Sequence, residues 1–309
     1  MAIGAYIRVI GRGRDGARSL TREQAADLFG QILDGNASDL EVGAFCLAMR
    51  IKGETAAELA GFLDATHARL RRVPDHGGVT VVLPSYNGAR KLPNLTPLLA
   101  LLLARAGFAV LVHGTPTEDA RITSTEVFAE LGQPTLDRVP ELSAGQCTVI
   151  FTDALNPALA RLLEVRRTVG LRNSAHSVVK LMTPCEGRAF VVSSYTHAEY
   201  ADSMAATLSM TGTHAMLLRG TEGEPFADPR RTPQMEVFAY GQRRVAQPPQ
   251  GGSLVAPVGL PRETSAAAVA AYIHDVLAGR LPVPEPIARQ VAHIQFELER
   301  RAAQATPLL

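Results

Sequence analysis

Val79–Thr96 reads VTVVLPSYNGARKLPNLT. Val79–Leu83 is a run of β-branched and aliphatic residues, the composition of a strand buried on both faces. Pro84, Ser85, Asn87 and Gly88 then end it in turn formers, and an apolar helix follows over Pro97–Ala106. A strand that runs through a loop into a helix is where an α/β protein places a phosphate or a nucleotide. This loop, however, holds Pro84 and Tyr86 where a phosphate cradle uses glycine, and adds Arg90 and Lys91.

The period of the apolar residues changes on either side of the loop. Upstream, over residues 20–72, it is helical. In SLTREQAADLFGQILDG, Ser19 and Thr21 are N-cap candidates, Leu28, Phe29, Ile32 and Leu33 share a face, and Gly35 stops the helix. SDLEVGAFCLAMRIKG, capped by Ser38 and stopped by Gly53, predicts a second helix; ETAAELAGFLDATHARLRRV, ended by Pro74, predicts a third. Downstream, strands at Val79–Leu83, Ala109–His113, Gln146–Phe151, Ala189–Ser193 and His214–Arg219 alternate with helices. Residues 225–262, rich in Pro, Gly and Gln, read as loops or short β segments, and two helices close the chain. Such alternation predicts a mostly parallel, covered sheet. The expected fold class is α/β, with a small helical bundle domain at 1–74 and a larger α/β domain with a mostly parallel central sheet at 75–309. NPALARLLEVRRTVGLRNSAHSVVKLM reads as one long helical stretch, so residues of about 156–183 are expected to rejoin the bundle in space.

Bulk properties narrow the function classes. In 309 residues, 31 Lys plus Arg stand against 30 Asp plus Glu, so no global field points to nucleic acid or an acidic membrane, and any basic surface is local. Cys46, Cys147 and Cys185 are few, odd in number and far apart, which suits a reducing compartment and neither a disulfide framework nor a zinc site. Arg8, Arg12, Arg14 and Arg18 interrupt the apolar core a signal peptide needs, and LLALLLARAGFAVLVHG carries Arg105 and His113, so no membrane span is predicted. A cytoplasmic location is expected. GRGRDG at 11–16 lacks the strand-turn-helix unit of a dinucleotide fingerprint and reads as a mobile basic arm.

A helical N-terminal bundle that leads into a strand and loop, then rejoins the bundle halfway along the chain, resembles the anthranilate phosphoribosyltransferase and class III nucleoside phosphorylase superfamily. In those enzymes the first strand runs into a GTGGD turn and an N-x-S-T element that wrap pyrophosphate in backbone N–H groups. The turn here is Leu83, Pro84, Ser85, Tyr86 and Asn87. On this comparison the N–H cradle is expected to be gone, since Pro84 has no N–H to offer and Tyr86 would fill the space. The family's KHGNR element, followed by two serines, becomes Val112, His113, Gly114, Thr115 and Pro116, then Asp119 and Ala120. Its magnesium-holding Asp-Glu pair falls at Pro225 and Phe226 of RGTEGEPFADPRR, and the neighbouring Glu222, Glu224 and Asp228 read as a solvated acidic loop. The helix that receives the aromatic acid persists as VRRTVGLRN, with Arg166, Arg167, Gly170 and Arg172 in register. Three losses and one retention, with PSYNGARK and TPLLALLL, resemble the YbiB-type paralogues of anthranilate phosphoribosyltransferase. That resemblance implies a homodimer, joined through the helical domain, that binds nucleic acid without strong sequence preference.

Local charge agrees with a polyanionic partner. Residues 1–22 hold Arg8, Arg12, Arg14, Arg18 and Arg22 against Asp15; 69–91 hold Arg69, Arg71, Arg72, Arg90 and Lys91 against Asp75; 165–185 hold Arg166, Arg167, Arg172 and Lys180 before the next acid. An arginine-rich composition also produces clusters by chance. In the superfamily fold the second and third windows face each other across the interdomain cleft. The candidate nucleic-acid-binding residues, DNA or RNA, are therefore Arg90, Lys91, Arg166, Arg167, Arg172 and Lys180, with Asn87 and His176 to orient phosphates. Tyr86 could stack on a base or plug the vacated pyrophosphate pocket, and His113 reads as scaffold. No catalytic residue, metal or cofactor is expected. The competing readings are a glycosyl or phosphoribosyl transferase with an altered substrate, and a module that binds an acidic protein segment.

Overall fold

The computed structural model describes residues 2–305 apart from Arg14 and Thr117, with side chains described through Arg300. Four helices open the chain: α1 (Ile3–Ile10), α2 (Arg22–Leu33), α3 (Asp39–Lys52) and α4 (Ala56–His67). Thr21, Ser38 and Thr55 each close a capping box with Gln24, Glu41 and Glu58, which satisfies two of the orphan donors at each helix start. Phe29, Phe45 and Phe62 bring the three capped helices together, with ring centroids 4.7–6.1 Å apart in stacked and edge-on contacts. Such pairs add roughly 0.5–1.5 kcal/mol each beyond the area they bury.

The basic stretch expected at 11–16 is exposed at Gly11, Arg12, Gly13 and Asp15, and the residues before it pack as a helix. Ile3, Tyr6 and Ile10 are buried on one face of α1, and the Tyr6 hydroxyl donates to Asp27 at 2.6 Å. After Gly11 the chain turns back, with the Arg18 N–H donating to the Val9 carbonyl at 3.1 Å. The apolar i, i+3, i+7 pattern that runs between the arginines specifies a packed helix. Arg14 lies outside the described residues.

The α/β part is built from β1 (Thr80–Pro84), α5 (Thr96–Arg105), β2 (Ala109–Gly114), α6 (Ser124–Glu130), β3 (Cys147–Phe151), α7 (Thr152–Leu155), α8 (Pro157–Val169), α9 (Ala175–Leu181), β4 (Ala189–Tyr195), α10 (Ala198–Thr211), β5 (Ala215–Arg219), β6 (Met235–Ala239), β7 (Gln242–Gln247), α11 (Ala266–Leu277) and α12 (Glu285–Ala305). The sheet order is β3-β2-β1-β4-β5-β6-β7, parallel through β5 and antiparallel over the last two strands. Alternation along β1 sends Val81 and Leu83 to one core and Val82 to the other. The first core is roofed by α5, α6, α11 and α12, the second by the helical bundle with α8, α9 and α10.

Three sequence boundaries shift. The third bundle helix ends at His67 rather than at Pro74, because Val73 bridges to Cys185 in extended form. The long mid-chain helix is two, α8 and α9, broken where Gly170 adopts the left-handed conformation (φ 74°). Residues 235–247 form a hairpin whose turn residues Tyr240 and Gly241 both have positive φ. The chain moves outward from β1 to β2 and β3, then crosses back to β4, so the switch point lies between β1 and β4. Ligand sites of open parallel sheets form outside the strand ends at that point.

Candidate functional site

The loops after β1 and β5 meet at the switch point. Glu224 is fully buried and aims its carboxylate into the turn after β1. Its Oε1 accepts the backbone N–H groups of Asn87 and Gly88, both at 2.8 Å; its Oε2 accepts the hydroxyls of Ser85 and of Thr96, the latter at 3.0 Å. Glu222 fills the second half of the loop. Its Oε1 accepts the Lys91 N–H at 2.7 Å and the Leu92 N–H at 2.9 Å, and the Arg90 N–H reaches both oxygens at 3.1–3.2 Å. Converging backbone donors of this kind form an anion nest. Its occupants are the protein's own carboxylates.

Two expectations are corrected here. The N–H cradle is present, because Pro84 precedes the nest and so withholds nothing from it, and Glu224 is buried rather than solvated. Asp228 turns away to pair with Arg230 at 2.8 Å. Gly223, at φ 89°, permits the tight approach, since a Cβ there would collide with the Asn87 side-chain amide. Glu222 itself adopts φ 52°, uncommon for a residue with a side chain. Burying a carboxylate costs several kcal/mol unless hydrogen bonds compensate it, and four donors do so at Glu224. Among the described residues no group of three or more His, Cys, Asp or Glu could hold a metal ion.

Beside this plug lies a cleft of about 420 Å³. Six of the eight sequence candidates line it: Asn87, Arg90, Arg166, Arg172, His176 and Lys180. Lys91 faces an adjoining cleft of about 570 Å³ together with Arg219 and Arg231. Arg167 lies outside both and pairs with Asp119 and Glu164, each at 2.7 Å. What these groups are free to do differs. The Lys180 ammonium is buried and donates to the carbonyls of Gly223 at 2.8 Å and Ser194 at 3.2 Å. Burial pulls its pKa down to about 8, with the Glu224 carboxylate opposing and Arg172 reinforcing that fall. The Asn87 amide donates to the Glu222 carbonyl at 2.8 Å. Arg166 pairs with Glu118 at 2.9 Å, while its Nη1 is buried without a partner. Arg90, Lys91 and Arg172 make no ion pair among the described residues.

Histidine 176 is 7 % exposed, with Nδ1 within 3.2 Å of the Asn173 carbonyl and Nε2 unpartnered. Burial, then Arg172 and Arg166, pulls its pKa down to about 3. Charge windows along the chain missed two cleft residues, Arg50 and Arg121, because each is isolated in sequence and reaches the cleft through the fold. Arg121 shares Glu118 at 3.0 Å, and Arg50 donates to the Tyr200 hydroxyl at 2.8 Å. Tyr86 takes neither of the roles considered for it. It is 3 % exposed, so no base can stack on it, and its hydroxyl bonds His113 Nδ1 and Thr152, each at 2.7 Å, inside the core; Glu224 fills the cradle. His113 is fully buried in that contact, as scaffold.

Residues 6–69 match the helical bundle domain of the glycosyl transferase family. The protein YbiB of Escherichia coli (strain K12) is 40 % identical over 295 residues, 93 % of this chain and 91 % of YbiB. The anthranilate phosphoribosyltransferase of Anaeromyxobacter sp. (strain K) is 30 % identical over 281 residues, 86 % of this chain and 80 % of the enzyme. Among solved structures, the anthranilate phosphoribosyltransferase of Thermus thermophilus superposes with a TM-score of 0.72 at 21 % identity, covering 94 % of this chain and 85 % of that one. The Saccharomyces cerevisiae enzyme in complex with PRPP and Mg gives 0.67 at 12 % identity, with the same coverages. From the bundle to the switch-point loops, the chain belongs to the anthranilate phosphoribosyltransferase family, as a YbiB-type paralogue.

Proposed function

We propose that this protein binds nucleic acid through its phosphate backbone, without sequence preference, along the rim of the cleft, and that the motifs for pyrophosphate and magnesium are lost. One observation carries the reading: Glu222 and Glu224 occupy the backbone donors of the loop after β1, while Arg90, Lys91 and Arg172 stand unpaired beside it. A free pyrophosphate would have to displace two carboxylates, and like charges about 4 Å apart repel by roughly 4 kcal/mol at an effective dielectric near 20. Side-chain cations at the rim meet a polymer's phosphates without entering the cradle. Each phosphate neutralised releases counterions, so affinity should fall steeply with salt. The two clefts share Tyr195 and Glu222, which lets Lys91 and Arg219 extend the basic track beyond the first cleft.

The reading includes a homodimer through the helical domain, supported by Leu40, Leu47 and Ile51, which are 84 %, 46 % and 68 % exposed on α3. It includes a cytoplasmic location, with which the want of any helix long and apolar enough to cross a membrane, among the described residues, agrees. Fluorescence anisotropy with a labelled oligonucleotide tests it: affinity that falls steeply with salt supports it, and no binding at low salt sinks it. The alternative, transfer of a glycosyl or phosphoribosyl group to an altered substrate, draws on the 30 % identical anthranilate phosphoribosyltransferase. A melting shift with phosphoribosyl pyrophosphate and magnesium would favour that reading instead.

A further inference from the structure

The first cleft carries more positive than negative charge. Six cationic side chains line it, Arg50, Arg90, Arg121, Arg166, Arg172 and Lys180, against the carboxylates of Glu54, Glu118 and Glu222. The acids are already engaged: Glu118 by Arg121 and Arg166, Glu222 by the loop N–H groups and Arg121, Glu54 by the Ser174 hydroxyl at 2.6 Å. Arg172 is half-buried and makes no ion pair among the described residues, with only the already paired Glu118 carboxylate acting on it from a distance, and the buried Arg166 Nη1 and His176 Nε2 have no hydrogen-bond partner. An unpaired, partly desolvated guanidinium among like charges costs free energy that a bound anion would return.

The other wall is aromatic. Tyr195, His197 and Tyr200 line the same cleft, with the His197 and Tyr200 rings 6.4 Å apart. A space of about 420 Å³ admits one nucleotide and excludes a duplex. An internal phosphodiester brings one negative charge, whereas a phosphate monoester brings about 1.5 to 2 at neutral pH, closer to the excess the cleft presents.

We propose that this cleft takes the terminal phosphate monoester of a single nucleic-acid strand, with Arg166 and Arg172 on the phosphate, the His176 Nε2–H donating to it in the tautomer whose Nδ1 accepts the Asn173 N–H, and Tyr195, His197 and Tyr200 against the terminal base. The proposal rests on the nucleic-acid reading for its polymer and on the cleft for its phosphate. Terminal recognition then adds to the backbone contacts of Arg90 and Lys91.

The test is anisotropy of the full chain with one single-stranded oligonucleotide in three forms: 5′-phosphorylated, 3′-phosphorylated, and hydroxyl at both ends. One phosphorylated form should bind roughly tenfold more tightly than the hydroxyl form. Arg172→Gln should abolish that advantage and Arg172→Lys should reduce it, since lysine keeps the charge and loses the fork. A melting curve of each variant checks folding, and Arg50→Ala, at an exposed position, serves if Arg172→Gln does not fold. A nucleoside monophosphate should raise the melting temperature of the wild type and compete with the phosphorylated strand. Equal affinity for all three strands overturns terminal recognition and leaves the backbone reading standing. A melting shift with the monophosphate but no binding of any strand keeps the pocket and overturns the polymer reading.

Discussion

The Glu224 carboxylate accepts the Asn87 backbone N–H at 2.8 Å, across 137 residues of sequence. With the Gly88 N–H at the same distance and the Ser85 and Thr96 hydroxyls, this is an anion site completed from within the chain. Glu224→Ala leaves three buried donors, the Asn87 and Gly88 N–H groups and the Thr96 hydroxyl, without an acceptor, while the Ser85 hydroxyl keeps Ser124, at a cost of about 3 kcal/mol or more. Thermal melting should show that loss. Inorganic phosphate at millimolar concentration should restore part of it in the variant, raising its melting temperature by more than it raises that of the wild type, where only the adjoining cleft is open to it. A variant that phosphate stabilises no more than the wild type would mean that the nest is shaped for a carboxylate alone.

Arg90 and Lys91 carry no counter-charge, whereas Arg167 is already neutralised by Asp119 and Glu164. Reversing the first two to Glu should weaken oligonucleotide binding and lower the slope of log affinity against log salt by about two contacts. Arg167→Glu should move the slope less. Anisotropy titrations over a salt series measure both, and an unchanged slope in the Arg90 and Lys91 double variant would remove these residues from the interface.

Much of this site was legible in sequence, and the unread part has a physical cause. The β-branched runs at 80–84, 109–114 and 189–195 specify strands locally, and Ser85–Gly88 specify a turn, so the scaffold follows from short-range patterns. The pairing of Glu224 with that turn does not, because it joins residues far apart in sequence. Read in place, TEGEP is an acidic loop. Only the sheet order, which brings the end of β5 two strands from β1, turns it into a buried plug. Lys180 illustrates the converse: a charge window counts it as a surface cation, but helix α9 points it inward to two carbonyls.

Three histidines that burial holds neutral lower the stability of the fold in acid: His113, His176 and His67, the last pulled down to about 4. Burial pulls the pKa of His113 down to about 3, and burial with Arg172 and Arg166 does the same for His176. Between pH 6.5, the ordinary value, and about 3, the unfolded chain binds the proton and the folded chain does not, so stability is lost as pH falls through that window. Each such histidine contributes a slope of about 1.4 kcal/mol per pH unit. Glu54, whose carboxyl is pushed up by burial, works in the opposite direction. Denaturant midpoints should fall between about pH 6.5 and about pH 4.5, and His176→Gln should flatten the fall. Midpoints that stay level over that range would contradict neutral, buried imidazoles.

The apolar face of α3 carries the last prediction. Leu40, Leu47 and Ile51 are spaced at i, i+7 and i+11, which places all three within one narrow stripe of the helix, and each is exposed. A stripe of this kind on a bundle is covered by a partner more often than it is left to water. Paired with its copy it would contribute the apolar centre of an interface of about 800 Å² per subunit, the size of a stable dimer. Leu47→Glu with Ile51→Glu places two carboxylates at that centre, where desolvation opposes association by several kcal/mol. Light scattering should give twice the chain mass for the wild type and the single mass for the variant, with the melting temperature of the isolated chain nearly unchanged, because neither side chain enters the core of the bundle. A wild type that scatters as a monomer would overturn the dimer, and a variant that remains dimeric would move the interface off α3.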